Sequence, residues 1–218
     1  MKWSTPHTVA GFARGAPNLT LMAFAAGEHA RGGRRLLDIG CGAARNAVPL
    51  TREGWEVFGT DSSWPMLQAA AARTGADNPA GPLHLAAAAM DRLPLVDRWA
   101  DLIVAHGIWN LAASGEEFRR SVREAARAAR AGAALFIFTF SRHTLPPQAR
   151  PVSGETFVFT EFAGEPQCFL TEAQLVEELD VVGFVPDAAL PVKELNRPAG
   201  LLQASGPVIY EGGFRFTR

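Results

Sequence analysis

Two glycines separated by one residue directly follow a short apolar run in the stretch LLDIGCGAARNAVPL, residues 36–50. An apolar run, a glycine turn and then a helix-compatible pattern are typical of a buried strand that leads into a helix. Because glycine has no Cβ, the backbone at Gly40 and Gly42 can approach a ligand closely, and the following helix start offers free amide donors. The stretch therefore predicts a ligand-binding loop.

Strand-like and helix-like segments alternate along the chain. Helix-compatible segments occupy residues 43–53, 63–74 and 115–131, and Ser114 and Glu117 predict a capping box at the start of the last one. The strand candidates between them are RRLLDIG, WEVFGTD, PLHLAAA, ADLIVAHG and AALFIFTFS. This alternation predicts an α/β fold with a parallel sheet.

Composition excludes several classes of protein. The chain has 218 residues and a formal net charge of -1, so it suits one domain without the basic field that gathers nucleic acid. The two cysteines, Cys41 and Cys168, lie far apart in sequence, and no secretory signal is recognised, which favours a reducing cytoplasm and no disulfide. Charge, glycine or proline interrupts every apolar segment, so we expect a soluble protein, either a monomer or a homodimer, with no membrane partner.

The glycine loop departs from the dinucleotide-binding pattern G-x-G-x-x-G, because Arg45 takes the place of the third glycine. Asp38, two residues before Gly40, is a poor neighbour for pyrophosphate and a good one for an ammonium or sulfonium group. Asp61 closes the next strand about 20 residues further on, where such sheets place an acid that accepts ribose hydroxyl groups. The expected ligand is therefore a nucleoside that carries a positive charge, and S-adenosylmethionine fits this description.

At these residues the sequence resembles the class I S-adenosylmethionine-dependent methyltransferases, over most of residues 34–140. LLDIGCGAARNAVPL is similar to their first motif, D-x-G-x-G-x-G, with Ala44 at the last glycine. VFGTDSSWPML is similar to their ribose-binding strand end, AMDRLPL to the adenine-binding turn, and ADLIVAHGIWNL to the strand beside the methyl group. The resemblance implies a Rossmann-like sheet of seven mainly parallel strands flanked by helices, with an antiparallel last strand near residues 207–216.

The resemblance also implies a cofactor-binding set for S-adenosyl-L-methionine. The glycines contact the methionine part through the backbone, Asp61 accepts the ribose hydroxyls, and Met90 and Asp91 meet the adenine. The full set is Asp38, Gly40, Cys41, Gly42, Asp61, Ser62, Met90 and Asp91. Each acid has a simpler alternative: Asp38 could hold its own loop, Asp61 could cap a helix, and Asp91 could be a turn residue.

His106 is the catalytic candidate, because it leaves the fourth strand at the carboxyl edge, where open α/β sheets bind ligands. It could orient the substrate or accept its proton, or be a buried histidine bonded to a backbone carbonyl. Trp109 and Asn110, just beyond it, are candidate substrate contacts. His143, on a proline-rich insert, is another such candidate or a surface residue. No metal site is expected.

These features predict a single methyltransferase domain over residues 1–218, with an N-terminal helical lid at 1–30 that includes Trp3, and an insert at 141–168 as a substrate cover. The mixture of aromatic residues and few charges around the expected pocket favours a small-molecule acceptor. The alternatives are a noncatalytic S-adenosylmethionine-binding protein and, disfavoured by Asp38 and Arg45, an NAD(P)-dependent oxidoreductase.

Overall fold

The computed structural model describes residues 4–77, 81–197 and 206–218, so Trp3 lies outside the described residues. Its helices are α1 Pro6–Arg14, α2 Leu19–Ala30, α3 Ala47–Arg52, α4 Trp64–Asp77, α5 Gly115–Ala128 and α6 Glu172–Asp180. Its strands are β1 Arg35–Ile39, β2 Glu56–Asp61, β3 Leu83–Ala87, β4 Ala100–His106, β5 Ala129–Phe140, β6 Val158–Phe159, β7 Gln167–Cys168, β8 Phe184–Pro186, β9 Lys193–Leu195 and β10 Ile209–Phe216.

The central sheet has the strand order β3-β2-β1-β4-β5-β10-β8. The first five strands in this order pair in parallel, whereas β10 is antiparallel to both of its neighbours. The expected α/β architecture with an antiparallel last strand is therefore confirmed. The short strand β9 also pairs with β10 and brings the sheet to eight strands, one more than the seven expected.

Alternating side chains of the strands build a core on each face of the sheet. On one face, Leu37 and Ile103 share a cluster with Phe118 of α5 and Leu175 of α6. The other face is covered by α2 and α3, whose buried apolar residues pack with the strand residues that point the other way. The helices thus cover both faces and leave the carboxyl edge of the parallel strands accessible to a ligand.

The N-terminal segment divides into two parts that differ in burial. In α2, Leu21, Phe24 and Ala25 are buried and belong to the core, whereas α1 has no buried residue. The segment expected as a lid over residues 1–30 therefore includes one helix that is a fixed layer of the fold. Only α1 lies on the surface in a way that suits a lid.

The helix after the glycine loop is shorter than the 43–53 expected, because Ala44 adopts a left-handed backbone conformation with φ 58° and α3 begins at Ala47. Pro49 is then the third residue of α3, where the backbone N–H has no partner within the helix. The proline consequently costs no helical hydrogen bond.

Local hydrogen bonding defines the ends of helices α5 and α6. Ser114 accepts a hydrogen bond from the Glu117 N–H, but the Glu117 carboxylate binds the N–H of Ala113, so the expected capping box is incomplete. Thr171 caps α6, and Gly183, with φ 100°, follows its last turn. Helix α5 leads into β5 without a loop, which shortens it from the predicted 115–131.

None of the helices formed by the described residues has the length and hydropathy that crossing a bilayer requires.

Candidate active site

A cavity of about 90 Å³ lies where β1, β2 and β4 end. The residues after these strands supply most of its wall, because the carboxyl ends of parallel strands meet at one edge of the sheet. The helix α1 closes the cavity from the opposite side. Its lining residues are Phe12, Gly40, Gly42, Asp61, Ser62, Met66, His106, Gly107, Ile108 and Leu111.

The glycine loop has the backbone geometry that its sequence predicts. Gly40 and Gly42 have φ values of 71° and 54°, which favour glycine. A Cβ on Gly40 would lie 2.6 Å from Cδ1 of Ile108, so a side chain there would push Ile108 out of place. Ala44, with φ 58°, adopts the conformation that a glycine would prefer at the last glycine of the motif.

Asp61 connects the glycine loop to the end of β2. Its carboxylate accepts a hydrogen bond from the Gly42 N–H at 2.9 Å and another from the Ser63 N–H at 2.7 Å. The bond to Ser63 is an Asx turn before α4, so the capping alternative is partly realised. Burial raises the pKa of Asp61, against the lowering effect of these two hydrogen bonds.

Asp38 is a buried acid beside the glycine loop, with 2% of its surface exposed. Burial raises its pKa to about 7, whereas the Arg45 guanidinium lowers it and the Asp61 carboxylate raises it further. At neutral pH this carboxyl group is therefore about half ionised, and a nearby cation would favour its ionised form.

His106 lies at the end of β4 and stacks on Phe138, with ring centroids 4.3 Å apart. Asn18 Nδ2 is 3.2 Å from its Nε2, and Arg45 Nη2 is 3.2 Å from its Nδ1. Burial, followed by the charge of Arg45, lowers the pKa of His106 to about 4. The imidazole is therefore neutral at physiological pH.

The hydrogen bonds of Asn18 determine which of its side-chain atoms faces His106. Its Oδ1 accepts the Leu21 N–H at 2.9 Å, and its Nδ2 donates to Glu211 Oε2 at 2.7 Å, so the amide faces His106 with a donor. Arg45 is also only a donor. Both ring nitrogens thus face donors, which disfavours the protonated ring in addition to burial, the largest cause of the low pKa, and the charge of Arg45.

Other predicted cofactor residues are not at the cavity wall. The thiol of Cys41 lies against Gly59 of β2, where the missing Cβ leaves room for it, and donates to the Gly42 carbonyl at 3.7 Å; burial raises its pKa. Asp91 accepts a hydrogen bond from Arg120 at 3.0 Å, and Met90 packs against the core. Met90 and Asp91 lie in the turn that follows β3. This turn begins next to Asp61, where the Ala88 N–H donates a hydrogen bond to the Asp61 carbonyl.

The predicted substrate residues are also dispersed. Trp109 is buried in the core, edge to face with Phe118 at 6.2 Å between ring centroids. Asn110 is buried, and its Oδ1 has no hydrogen-bond partner among the described residues. His143 Nδ1 lies 2.6 Å from Glu194 Oε1, which ties the start of the insert to β9.

Three residues around His106 were not predicted as site residues: Asn18, Arg45 and Glu211. Arg45 was considered only as the residue that replaces a glycine. Glu211 offered a signal, because it is an isolated acid in the apolar run VIYEGGFRF and is 8% exposed in β10. Asn18 was expected only as part of the N-terminal lid segment, and in the structure it caps α2.

Comparison with known proteins identifies a domain family over part of the chain. Residues 37–137 match the family model described as a methyltransferase domain. This match runs from within β1 to within β5 and includes the glycine loop, Asp61 and His106. Over these residues the chain therefore carries a methyltransferase domain, and its fold is that of the class I S-adenosylmethionine-dependent methyltransferases. No curated protein sequence matches the chain.

Solved structures share the fold at low sequence identity. A methyltransferase from Methanosarcina mazei is 20% identical with a TM-score of 0.65, over 85% of this chain and 93% of that one. A second structure is the 1,6-didemethyltoxoflavin-N1-methyltransferase of Burkholderia thailandensis, with bound 1,6-didemethyltoxoflavin and S-adenosylhomocysteine. It is 18% identical with a TM-score of 0.66, over 90% of this chain and 78% of that one. The cyclase SpnF is 19% identical with a TM-score of 0.67, over 94% of this chain and 85% of that one.

Proposed function

We propose that this protein transfers a methyl group from S-adenosylmethionine to a small-molecule acceptor. The observation that carries the proposal is the cavity at the sheet edge, where the glycine loop, Asp61 and His106 meet under α1. The Burkholderia neighbour, which is named for the methylation of 1,6-didemethyltoxoflavin and contains that molecule, supports a small-molecule acceptor.

The residues around the cavity fit the cofactor. When bound, S-adenosylmethionine supplies a methyl group on a sulfonium, which is already a good leaving group. In our proposal Gly40 and Gly42 bind the methionine part through the backbone, Asp38 balances its positive charge, and Asp61 with Ser62 binds the ribose. Cys41 contributes its backbone, while Met90 and Asp91 are proposed to contact the adenine from the turn after β3.

His106 is proposed to orient the acceptor rather than to remove its proton. Its pKa of about 4 leaves the ring neutral and weakly basic at pH 7. Methyl transfer does not require a strong base, because positioning of the reactants and exclusion of water account for much of the rate enhancement. Trp109, Asn110 and His143 remain proposed substrate residues; of these, the Asn110 Oδ1 is an acceptor that a substrate donor could satisfy.

Helix α1 is proposed to act as the lid. The present cavity of about 90 Å³ is smaller than the roughly 300–1,000 Å³ of sites for drug-sized ligands. Phe12 and Ile108 narrow it by lying over Gly42 and Gly40. Helix α1 has no buried residue, and the Arg73 guanidinium donates to the Ala13 and Gly15 carbonyls at its end, so opening would break these hydrogen bonds without exposing core residues.

The insert at residues 141–168 is proposed to cover the acceptor, within a single domain over residues 1–218. The short hairpin of β6 and β7 closes it, and the Arg142 N–H donates to the Leu170 carbonyl at its base. A cytoplasmic location, a monomer or homodimer, and the lack of nucleic-acid and membrane partners are part of the same proposal.

A noncatalytic or non-methylating role is the second candidate. The observation that favours it is the neighbour SpnF, which is named a cyclase although its fold is similar. Binding residues alone do not establish turnover.

The test is incubation of the purified protein with S-adenosylmethionine and a panel of small phenols, amines and thiols, with and without a carboxylate. Formation of S-adenosylhomocysteine is measured by a coupled assay, and the methylated product by mass spectrometry. We expect product with at least one small acceptor and none with RNA or DNA. Tight cofactor binding without product across the panel would favour the second candidate, and preference for a nucleic acid would overturn the acceptor class.

Affinity for S-adenosylmethionine is expected to rise with pH. Only ionised Asp38 balances the ligand charge, and its pKa of about 7 means that the ionised fraction increases roughly tenfold between pH 6 and pH 8. Calorimetric titration should therefore give about tenfold tighter binding at pH 8 than at pH 6. Asp38→Asn should bind weakly with little pH dependence. The same affinity for the wild-type protein at both pH values would contradict this role.

A further inference from the structure

Arg45 extends from the glycine loop across the end of α1. An added Cβ on Gly15 would lie 3.2 Å from Arg45 Cδ, so the glycine makes room for this side chain. The guanidinium reaches His106, with Nη2 3.2 Å from Nδ1 and 3.4 Å from Nε2. Burial lowers the pKa of Arg45, which shows that its charge is partly removed from water.

Among the described residues, no carboxylate oxygen lies within 4.0 Å of the Arg45 guanidinium, which is the distance limit for an ion pair. Its hydrogen-bond partner, His106, is neutral. Asp38 attracts it from a greater distance, but the pKa of Asp38, about 7, leaves that acid only half ionised at neutral pH. A partly buried cation without an anionic partner is costly, so this arrangement favours an anion from outside the chain.

A second cavity, of about 300 Å³, lies next to this guanidinium. Phe12 lines both this cavity and the cofactor cavity, so the two are neighbours. The residues that line it include no acid, and Phe12 offers an apolar face beside the charge of Arg45. They are His7, Thr8, Gly11, Phe12, Gly15 and Arg45.

We propose that this second cavity binds a carboxylate of the methyl acceptor through Arg45, so that the enzyme selects small acids with an apolar or aromatic body. A guanidinium matches a carboxylate with two parallel hydrogen bonds, and Phe12 packs against the body of the ligand. The inference rests on the proposed function. The same carboxylate chemistry exists in the methionine part of the cofactor, so the experiment separates the two sources.

The experiment measures binding and requires no turnover. Benzoate and its uncharged analogue benzamide are titrated against the protein saturated with S-adenosylhomocysteine, at millimolar concentrations, by ligand-observed NMR. S-adenosylhomocysteine and 5′-methylthioadenosine, which lacks the amino-acid part, are titrated separately by calorimetry. The variants are Arg45→Gln, Arg45→Lys and, as a matched control on the exposed end of α3, Arg52→Gln.

We expect the wild-type protein to bind benzoate at least about tenfold more tightly than benzamide, as charge-assisted hydrogen bonds would give. Arg45→Gln should remove this preference, Arg45→Lys should keep part of it, and Arg52→Gln should keep all of it. Affinity for S-adenosylhomocysteine should change by less than about threefold in each variant. Because these readouts are binding constants, they remain informative even when no methyl transfer is found.

Two outcomes would overturn the proposal. If Arg45→Gln weakens the binding of S-adenosylhomocysteine tenfold and leaves the binding of 5′-methylthioadenosine unchanged, Arg45 binds the carboxylate of the cofactor instead. If wild-type protein shows no preference for benzoate, the cavity does not recognise a carboxylate. The wild-type comparison decides the second point even if Arg45→Gln fails to fold.

Discussion

Replacing Asp61 by alanine is expected to weaken S-adenosylmethionine binding by about 10- to 150-fold, or roughly 1.5–3 kcal/mol. The proposed contact is a carboxylate that accepts the two ribose hydroxyls, and each such hydrogen bond is charge-assisted. The loss should be measured by calorimetric titration at pH 8, where Asp38 is mostly ionised.

A structural control is needed because Asp61 also holds the N–H groups of Gly42 and Ser63. Asp101 provides it: its Oδ2 accepts the N–H groups of Arg34 and Arg35 at 3.0 and 3.1 Å, at the opposite edge of the sheet. Asp101→Ala should lower the midpoint of thermal unfolding without weakening the binding of the cofactor. If folded Asp61→Ala binds as tightly as wild type, Asp61 serves only to hold the loop.

Replacing His106 by alanine is expected to lower kcat/KM for an acceptor from the panel by about 10- to 100-fold, because small errors in positioning the acceptor are costly in rate. Cofactor affinity should stay nearly unchanged. His106→Gln, which keeps a hydrogen-bonding side chain, should recover part of the rate, and His84→Ala, on the outermost parallel strand, should behave as wild type.

The pH dependence separates positioning from proton removal. With its pKa at about 4, His106 stays neutral from pH 6 to pH 9, so it adds no inflection to the pH–rate profile in this range. An inflection near pH 6.5 that disappears in His106→Gln, with a loss of about 10²–10⁴-fold in turnover, would instead identify His106 as a general base.

Residues close in sequence made the glycine loop predictable. The apolar run before Gly40 and the positive φ values at Gly40 and Gly42 are consequences of local pattern and backbone sterics. Asp61 follows from the same logic, since the next parallel strand ends at the same edge. The α/β class and the antiparallel last strand were predicted too, and the short β9 was not, because its three residues carry little pattern.

The surroundings of His106 could not be predicted, since they come from distant parts of the chain. Asn18 precedes α2, Arg45 follows the glycine loop, and Glu211 lies in β10. No local periodicity records which of these side chains meet. Likewise, the sequence placed Trp109 at the right edge of the sheet, but packing against Phe118 turned its side chain into the core.

The sequence by itself thus determined the α/β class and the glycine loop with its two acids, because these depend on short-range periodicity and on backbone conformations that glycine permits. Only the tertiary structure decided the protonation of the site. Burial and the donors on distant segments keep His106 neutral, raise the pKa of Asp38 to about 7 and leave Arg45 without an anionic partner within ion-pair distance among the described residues. Desolvation and charge interactions depend on distances in space, which a sequence pattern does not contain.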